Sequence, residues 1–133
     1  DVEKVCATQT TSHIFDMISA IANKKQQQAL DLYYDLLELK EPPMRILYLI
    51  VRQFNGILQV KDLMSRGISG KEIASKIGAA PFVVGKYQVQ AKCFEMNTLL
   101  DALNECAKTE EAVKQGRLND RLGVELIIIK YSK

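Results

Sequence analysis

The residues of this chain that could do chemistry are concentrated in Ser69–Lys86, which reads SGKEIASKIGAAPFVVGK. Ser69 and Glu72 have the S-x-x-E spacing of a capping box, which opens a helix. Gly78 can end that helix in the left-handed conformation, and Pro81 suits the first turn of a following helix. Two short helices joined in this way are typical of a helix-turn-helix. The stretch is therefore either a DNA-reading unit or a helix pair that packs inside a larger helical assembly.

The start of the second helix carries the wrong side chains for sequence-specific DNA reading. A recognition helix contacts base edges through polar side chains in its first turns. This one would present Ala80, Pro81, Phe82 and Gly85, and only Lys86 could reach a phosphate or a base. Apolar groups at these positions favour burial against protein, so a helix-turn-helix DNA-binding regulator is kept as the alternative function.

Gly70 and Lys71 resemble the end of a nucleotide-binding phosphate loop. The pattern of such a loop is G-x-x-x-x-G-K followed by Ser or Thr. Ser65 stands where the opening glycine is required, and Glu72 stands where a hydroxyl group is required. The cradle of backbone amides would lack its opening glycine, so a nucleotide is not an expected cofactor.

Catalytic and metal-binding constellations are also not predicted. His13 is the single histidine, no Ser or Cys motif accompanies it, and the acidic residues recur at the spacings of solvated helix faces. Cys6, Cys93 and Cys106 lie far apart and form no C-x-x-C pair, which argues against a zinc site and against a disulfide framework. We expect no catalytic residue, no cofactor and no metal site, and the enzyme hypothesis has no residues to support it.

Composition places the chain among single compact soluble domains. It has 133 residues, of which 47% are hydrophobic and 26% charged, and its net charge of +2 neither requires nor excludes a polyanionic partner. No run approaches the roughly 18 apolar residues of a membrane span, and no signal peptide is visible. We expect a cytoplasmic protein without a membrane partner. Because the chain begins with Asp1, we also expect a fragment of a longer protein.

Hydrophobic periodicity predicts an all-α domain of about seven helices. Residues 1–12 are polar and are interpreted as a linker or the end of a preceding element, with the domain itself over 13–133. The strand-forming run Leu126–Ile129 is assigned to the last helix, because nothing else in the chain offers a sheet for it to join. The predicted helices begin near His13 and then cover 24–39, 44–66, a short helix between Ser69 and Gly78, 82–95, 98–115 and 120–131.

The longest predicted helix carries a basic side. Arg45, Arg52 and Arg66 recur at intervals of 7 and 14 residues, so they share a side of an otherwise apolar helix. Such a stripe is either a solvated face or a surface for the acidic groups of a partner. The first half of the helix, RILYLIVRQF, is apolar nearly all round, which predicts burial by neighbours on several sides, and Phe54 is expected in the core.

Several blocks of the chain, taken in order, match the pattern of a known family. They are His13–Ile21, Glu41–Leu47, Ile50–Phe54, Glu72–Gly78, Pro81–Val84, Val113–Gly116 and Leu126–Ile128. Over nearly the whole chain, this order and spacing resemble the C-terminal part of the delta subunit of the bacterial DNA polymerase III clamp loader. One departure is visible, because Gly85 stands where the family usually has a bulkier or basic residue.

The resemblance implies an assembly role. In such clamp loaders, five subunits join through C-terminal helical domains into a closed collar, and the delta subunit opens the sliding clamp with an N-terminal domain related to AAA+ ATPases. The chain would then be a collar domain with no activity of its own, within a DNA-directed DNA polymerase (nucleotidyltransferase) holoenzyme that places the clamp on primed DNA. The implied partners are the tau/gamma and delta-prime subunits. The sliding clamp would bind outside this chain, and DNA would be bound only by the whole complex. The protein would be located in the cytoplasm, at the nucleoid during replication.

Five residues are the candidates for the subunit interface under this interpretation. They are the basic side of the long helix, Arg45, Arg52 and Arg66, together with Phe82 and Lys86 at the helix turn. The predicted helices carry more apolar surface than a domain of this size can cover, which predicts an exposed apolar patch for the neighbouring subunits to bury.

Overall fold

Seven helices and no strand make up the part of the chain that the computed structural model describes, namely the backbone of residues 2–133 and the side chains from Thr10 onward. The all-α prediction is therefore confirmed. The helices are α1 (Val2–Ala22), α2 (Gln26–Glu38), α3 (Pro43–Ser65), α4 (Gly70–Ile77), α5 (Pro81–Ala91), α6 (Met96–Lys114) and α7 (Asp120–Tyr131).

The long helix α3 is the centre of the fold, and it contacts α1, α4, α5, α6 and α7. Ile46, Ile50 and Phe54 lie on its buried side within the main apolar core. The ring of Phe54 meets the ring of Phe94 edge-on, with centroids 5.7 Å apart and planes at 83°. The prediction that Phe54 belongs to the core is confirmed.

Neighbouring helices bury α3 on several sides, as predicted, but one side of its first half stays open. Tyr48 is 61% exposed and Arg52 is also exposed. The reason is that α5 reaches α3 further along, at Gln53, Gly56 and Lys61. No described helix covers the turn of α3 that carries Tyr48 and Arg52.

The helix pair α4–α5 has the capping predicted for it. The side-chain oxygen of Ser69 accepts a hydrogen bond from the backbone N–H of Glu72 at 3.3 Å, which satisfies one free donor of the first turn. Gly78 ends α4 at φ +70°, where a side chain would be strained, and Pro81 opens α5. A small apolar cluster fixes the pair to the second half of α3, and its buried members are Val60, Ile73, Ala74 and Val84.

The first helix begins at Val2, so the predicted start near His13 is wrong. The threonines and Ser12 before His13 are weak helix formers, but the segment contains no proline or glycine, and weak helix formers do not stop a helix that tertiary contacts hold. Thr10 provides such a contact, because it is only 3% exposed and its hydroxyl donates to Glu41 Oε1 at 3.1 Å.

The joint between α5 and α6 lies at residues 92–95, so the prediction of one helix ending at residue 95 and the next beginning at residue 98 is wrong there. Lys61 of α3 donates from Nζ to the carbonyl oxygen of Ala91 at 2.9 Å, and so occupies an acceptor that a helix end leaves free. Phe94 then turns into the core and is 5% exposed. The hydrogen bond from Lys61 and the burial of the Phe94 ring therefore set the end of α5.

The last segment is the helix α7, as predicted, despite its strand-forming residues. Val124 and Ile128 are fully buried against the core, and Gly123 allows close approach to α6. A Cβ at position 123 would stand 2.9 Å from Cγ2 of Thr109. Burial against neighbouring helices thus outweighs the β preference of the isoleucines.

Candidate docking groove on the central helix

The open side of α3 forms one wall of a groove of about 560 Å³. Tyr48, Val51 and Arg52 line this wall, and the helix pair α4–α5 supplies Ile77 and Val83 on the facing wall and Tyr87 at the base. We name this feature the α3–α5 groove. Its volume lies within the range of protein binding pockets, which is about 300–1,000 Å³.

The shape of the α3–α5 groove depends on a glycine in the middle of α3. The ring of Tyr87 lies directly over Gly56, and a Cβ at position 56 would stand 2.8 Å from Tyr87 Cζ. That distance is shorter than a side chain tolerates. The missing side chain therefore lets the Tyr87 ring rest on the backbone of α3 and form the base of the groove.

The three arginines of α3 differ in their partners. Arg45 pairs with Glu41 at 3.3 Å and Arg66 pairs with Asp62 at 3.2 Å, both one turn back along the chain. Arg52 has no acidic partner among the described residues, and it is the one charged side chain that lines the groove. Of these three arginines, the one without an acidic partner is therefore the one that lines the α3–α5 groove.

The structure does not gather all five candidate interface residues into one patch. Arg45 and Arg66 lie at opposite ends of α3, roughly 30 Å apart at 1.5 Å per residue. Phe82 and Lys86 do lie together on α5, where the Lys86 ammonium group is 5.9 Å from the centroid of the Phe82 ring. Phe82 is 70% exposed. Of the five candidate interface residues, Arg52 is the one that lines the α3–α5 groove.

A buried polar network fixes α5 against α1 and α3. Gln90 is 2% exposed, and its Nε2 donates to the carbonyl oxygen of Phe15 at 3.1 Å and to Oγ of Ser19 at 2.9 Å. Gln53 of α3 donates to Gln90 Oε1 at 2.6 Å. These bonds hold the helix that carries Tyr87, so they help to position the groove.

Sequence reasoning missed Tyr48, Gly56, Tyr87 and the Gln90 network. A glutamine in a helix normally faces water, and nothing local distinguishes Gln90 from its neighbour Gln88. The only available signal was Gly56, an interior glycine in a long helix, because a glycine there costs up to about 1 kcal/mol and often has a packing reason.

The described residues offer no constellation for acid–base or metal chemistry. No three His, Cys, Asp or Glu side chains within the described part of the chain are grouped so as to hold a metal ion. Burial raises the pKa of the Cys106 thiol to about 12, so it stays protonated and is a poor nucleophile. Among the described helices, none is both long enough and apolar enough to cross a bilayer.

These observations define the class of protein as an all-α domain. It is built on the long central helix α3, and the capped helix pair α4–α5 packs against the second half of that helix. Residues 11–131 match the family model described as "DNA polymerase III delta subunit, C-terminal domain". The chain belongs to this family. A helix-turn-helix regulator is not favoured, because the exposed residue at the start of α5 is the apolar Phe82.

Two comparisons agree with the family. The chain is 33% identical over all of its 133 residues to the DNA polymerase III subunit delta of Bacillus subtilis (strain 168), of which it covers 38%. Its fold matches the structure of the Bacillus subtilis DNA clamp loader delta protein (YqeN) with a TM-score of 0.88, at 32% identity, over 92% of this chain and 36% of that one. The chain thus spans little more than a third of these relatives.

Proposed function

We propose that this chain is the assembly domain of a clamp-loader delta subunit. In this proposal it docks beside the corresponding helical domains of tau/gamma and delta-prime subunits and holds delta in the pentameric collar of the DNA polymerase III holoenzyme. The loader can then open the sliding clamp and place it on primed DNA. The main support is the close fold match to a clamp loader delta protein.

The surface of the domain supports a docking role. Among the residues whose side chains the structure describes, three large apolar ones are at least three-fifths exposed, namely Tyr48 at 61%, Val89 at 65% and Phe82 at 70%. Tyr48 lies on α3, and Phe82 and Val89 lie on α5. Exposed aromatic residues are enriched at the centres of protein–protein interfaces, where burying them supplies much of the binding free energy.

The proposal assigns the other functions of the loader outside this domain. Residues 13–133 are the collar domain, and residues 1–12 connect it to a preceding AAA+ lid. The sliding clamp binds an N-terminal domain, DNA binds only the whole loader, and the domain has no catalytic activity of its own. The protein works in the cytoplasm, at the nucleoid during replication.

Complex formation with the other loader subunits tests this proposal. The full-length delta subunit that contains this chain is mixed with purified tau/gamma and delta-prime subunits at micromolar concentration and analysed by size-exclusion chromatography with light scattering. We expect co-elution as one assembly. Absence of a stable complex with the wild-type subunit would show that the proposal is wrong.

A matched pair of variants then locates the interface. Phe82→Asp places a charge on the exposed face of α5 and should weaken the assembly by about tenfold or more, as for an interface anchor. Leu122→Asp places the same charge on an exposed leucine of α7 and should change the affinity less than about threefold. If both variants lost affinity equally, the loss would be assigned to misfolding or to an interface on a different face of the domain.

A further inference from the structure

We propose that the α3–α5 groove receives an amphipathic helix of a partner subunit, with an apolar side chain between Tyr48 and Tyr87 and a carboxylate paired with Arg52. This inference rests on the proposed function, because the helix would belong to another protein of the same assembly. It adds the place of contact and the chemistry of the occupant.

The apolar part of the inference follows from the groove walls. Tyr48 is 61% exposed, and Tyr87 is held in place against Gly56. Val51, Ile77 and Val83 are the aliphatic residues of the lining, and Asn55 and Gln59 add two amide side chains to it. A groove of about 560 Å³ lined by two tyrosine rings leaves room for one or two aliphatic side chains, which gain free energy when their apolar surface is removed from water.

The acidic side chain assigned to the occupant follows from the charged residues that line the groove. Arg52 is the one charged lining residue, and the lining contains no Asp or Glu. A guanidinium group binds a carboxylate through two parallel hydrogen bonds, so one acidic side chain on the occupant would complete the groove. Arg45 and Arg66 need no such partner, because each already pairs with an acidic residue of this chain.

The occupant is inferred to be a helix because its backbone N–H and C=O groups need hydrogen-bond partners. Apart from the turn residues Gly78, Ala79 and Ala80, the lining belongs to α3, α4 and α5, whose interior backbone groups are bonded within their own helices. An extended peptide buried there would leave its own N–H and C=O groups without partners, whereas a helix pairs them internally. A nucleic acid fits poorly, because phosphate binding requires several cations and the groove has only one.

Site-specific photo-cross-linking tests where the occupant lies. The photoreactive residue p-benzoylphenylalanine replaces Tyr48 in the full-length delta subunit, which is then assembled with the other loader subunits and irradiated. We expect a cross-link to an apolar residue that has an Asp or Glu within one helical turn. The same replacement at Tyr34, an exposed tyrosine on α2, is the control and should give no cross-link to that segment.

The outcomes separate this inference from the function on which it rests. If the loader assembles and Tyr48 yields no cross-link, or one to a segment without an acidic residue, the groove proposal is wrong while the assembly role stands. If the wild-type loader does not assemble, the assembly role itself fails.

A charge exchange tests the pairing with Arg52. Arg52→Glu should raise the dissociation constant of the complex by about thirtyfold or more, since it removes a charge pair and places two acids together. Arg45→Glu, on the same helix, should raise it less than about fivefold, because it disrupts only a surface ion pair. Replacing the cross-linked acidic residue of the partner by Arg should restore binding to the Arg52→Glu variant. Equal effects of the two variants, or no restoration, would overturn the inference, and thermal unfolding of each variant verifies that it is folded.

Discussion

Gly56 and Tyr87 come from separate helices and shape the groove together, because the absence of a side chain at position 56 leaves space for the Tyr87 ring. A Cβ at position 56 would stand 2.8 Å from Tyr87 Cζ and 2.9 Å from Tyr87 Cε2. The ring therefore lies on the backbone of α3, and a side chain at position 56 would require this ring to move.

Gly56→Ala should displace the Tyr87 ring. The alanine gains up to about 1 kcal/mol in helix preference, and the steric overlap with Tyr87 offsets that gain. We expect little or no net stabilisation in urea unfolding, together with weaker assembly of the loader. Gly85→Ala is the matched control within α5, because its Cβ would meet nothing within 4 Å. It should stabilise the domain by about 0.5–1 kcal/mol, and a larger gain at Gly56 than at Gly85 would contradict the close contact.

Gln90→Leu should lower the free energy of unfolding by about 2–3 kcal/mol. The change removes the bonds to Phe15 and Ser19 and leaves the amide of Gln53 without its acceptor in a part-buried place. Chemical denaturation followed by circular dichroism measures the loss. Gln28→Ala, at an exposed position on α2, is the control and should stay within about 0.5 kcal/mol of the wild type. A neutral Gln90→Leu variant would show that the network does not hold the helices together.

Stability should fall as the pH rises above about 10. Burial raises the pKa of Tyr33 and of Tyr131 above the ordinary value of 10.0, and the hydrogen bond from Tyr131 to Asp101 raises the latter further. Above that pH the unfolded chain loses phenol protons that the folded chain retains, so ionisation favours unfolding by up to about 1.4 kcal/mol per pH unit for each group. The stabilising contribution is complete below pH 10 and declines above it.

Urea titrations between pH 8.5 and 11 measure this dependence. Tyr33→Phe should be less stable at pH 8.5, because it loses the bond to the carbonyl oxygen of Arg121, yet its stability should decline less steeply at high pH. Tyr48→Phe, at an exposed position, serves as the control and should keep the wild-type slope. An unchanged slope in Tyr33→Phe would show that this phenol does not contribute.

The two described cysteines should differ in reactivity. Cys93 is exposed, whereas Cys106 is buried in α6 with its pKa raised to about 12. In a Cys6→Ser background, a thiol reagent should modify Cys93 in the native protein and modify Cys106 about a thousandfold or more slowly, since that thiol reacts only after opening. Mass spectrometry of the labelled chain assigns each site. Rapid native labelling in a Cys93→Ser variant of the same background would contradict the burial of Cys106.

Local rules explain why so much of the fold was predictable from the sequence. The cap at Ser69, the left-handed turn at Gly78 and the helix start at Pro81 depend on residues within one turn of each other, and all are present in the structure. The buried side of α3, with Phe54 in the core, follows from helical periodicity in the same way. The blocks that resemble the family also depend only on order and spacing along the chain.

Contacts between distant residues decided what the sequence could not. The first half of α1 is fixed to the fold by the contact of Thr10 with Glu41, and the end of α5 by the contact of Lys61 with Ala91. The interval between Arg45 and Arg52 indicated a shared side of α3, but only the packing of α5 showed which arginine faces a groove.

The sequence by itself therefore determined the helices, their caps and the family, because these depend on short-range sterics and hydrogen bonding. The tertiary structure alone decided the groove, since its base requires a ring from α5 to meet a glycine from α3. It also decided that Gln90 is buried while its neighbour Val89 is exposed, because burial depends on which helices pack together and not on the polarity of one side chain.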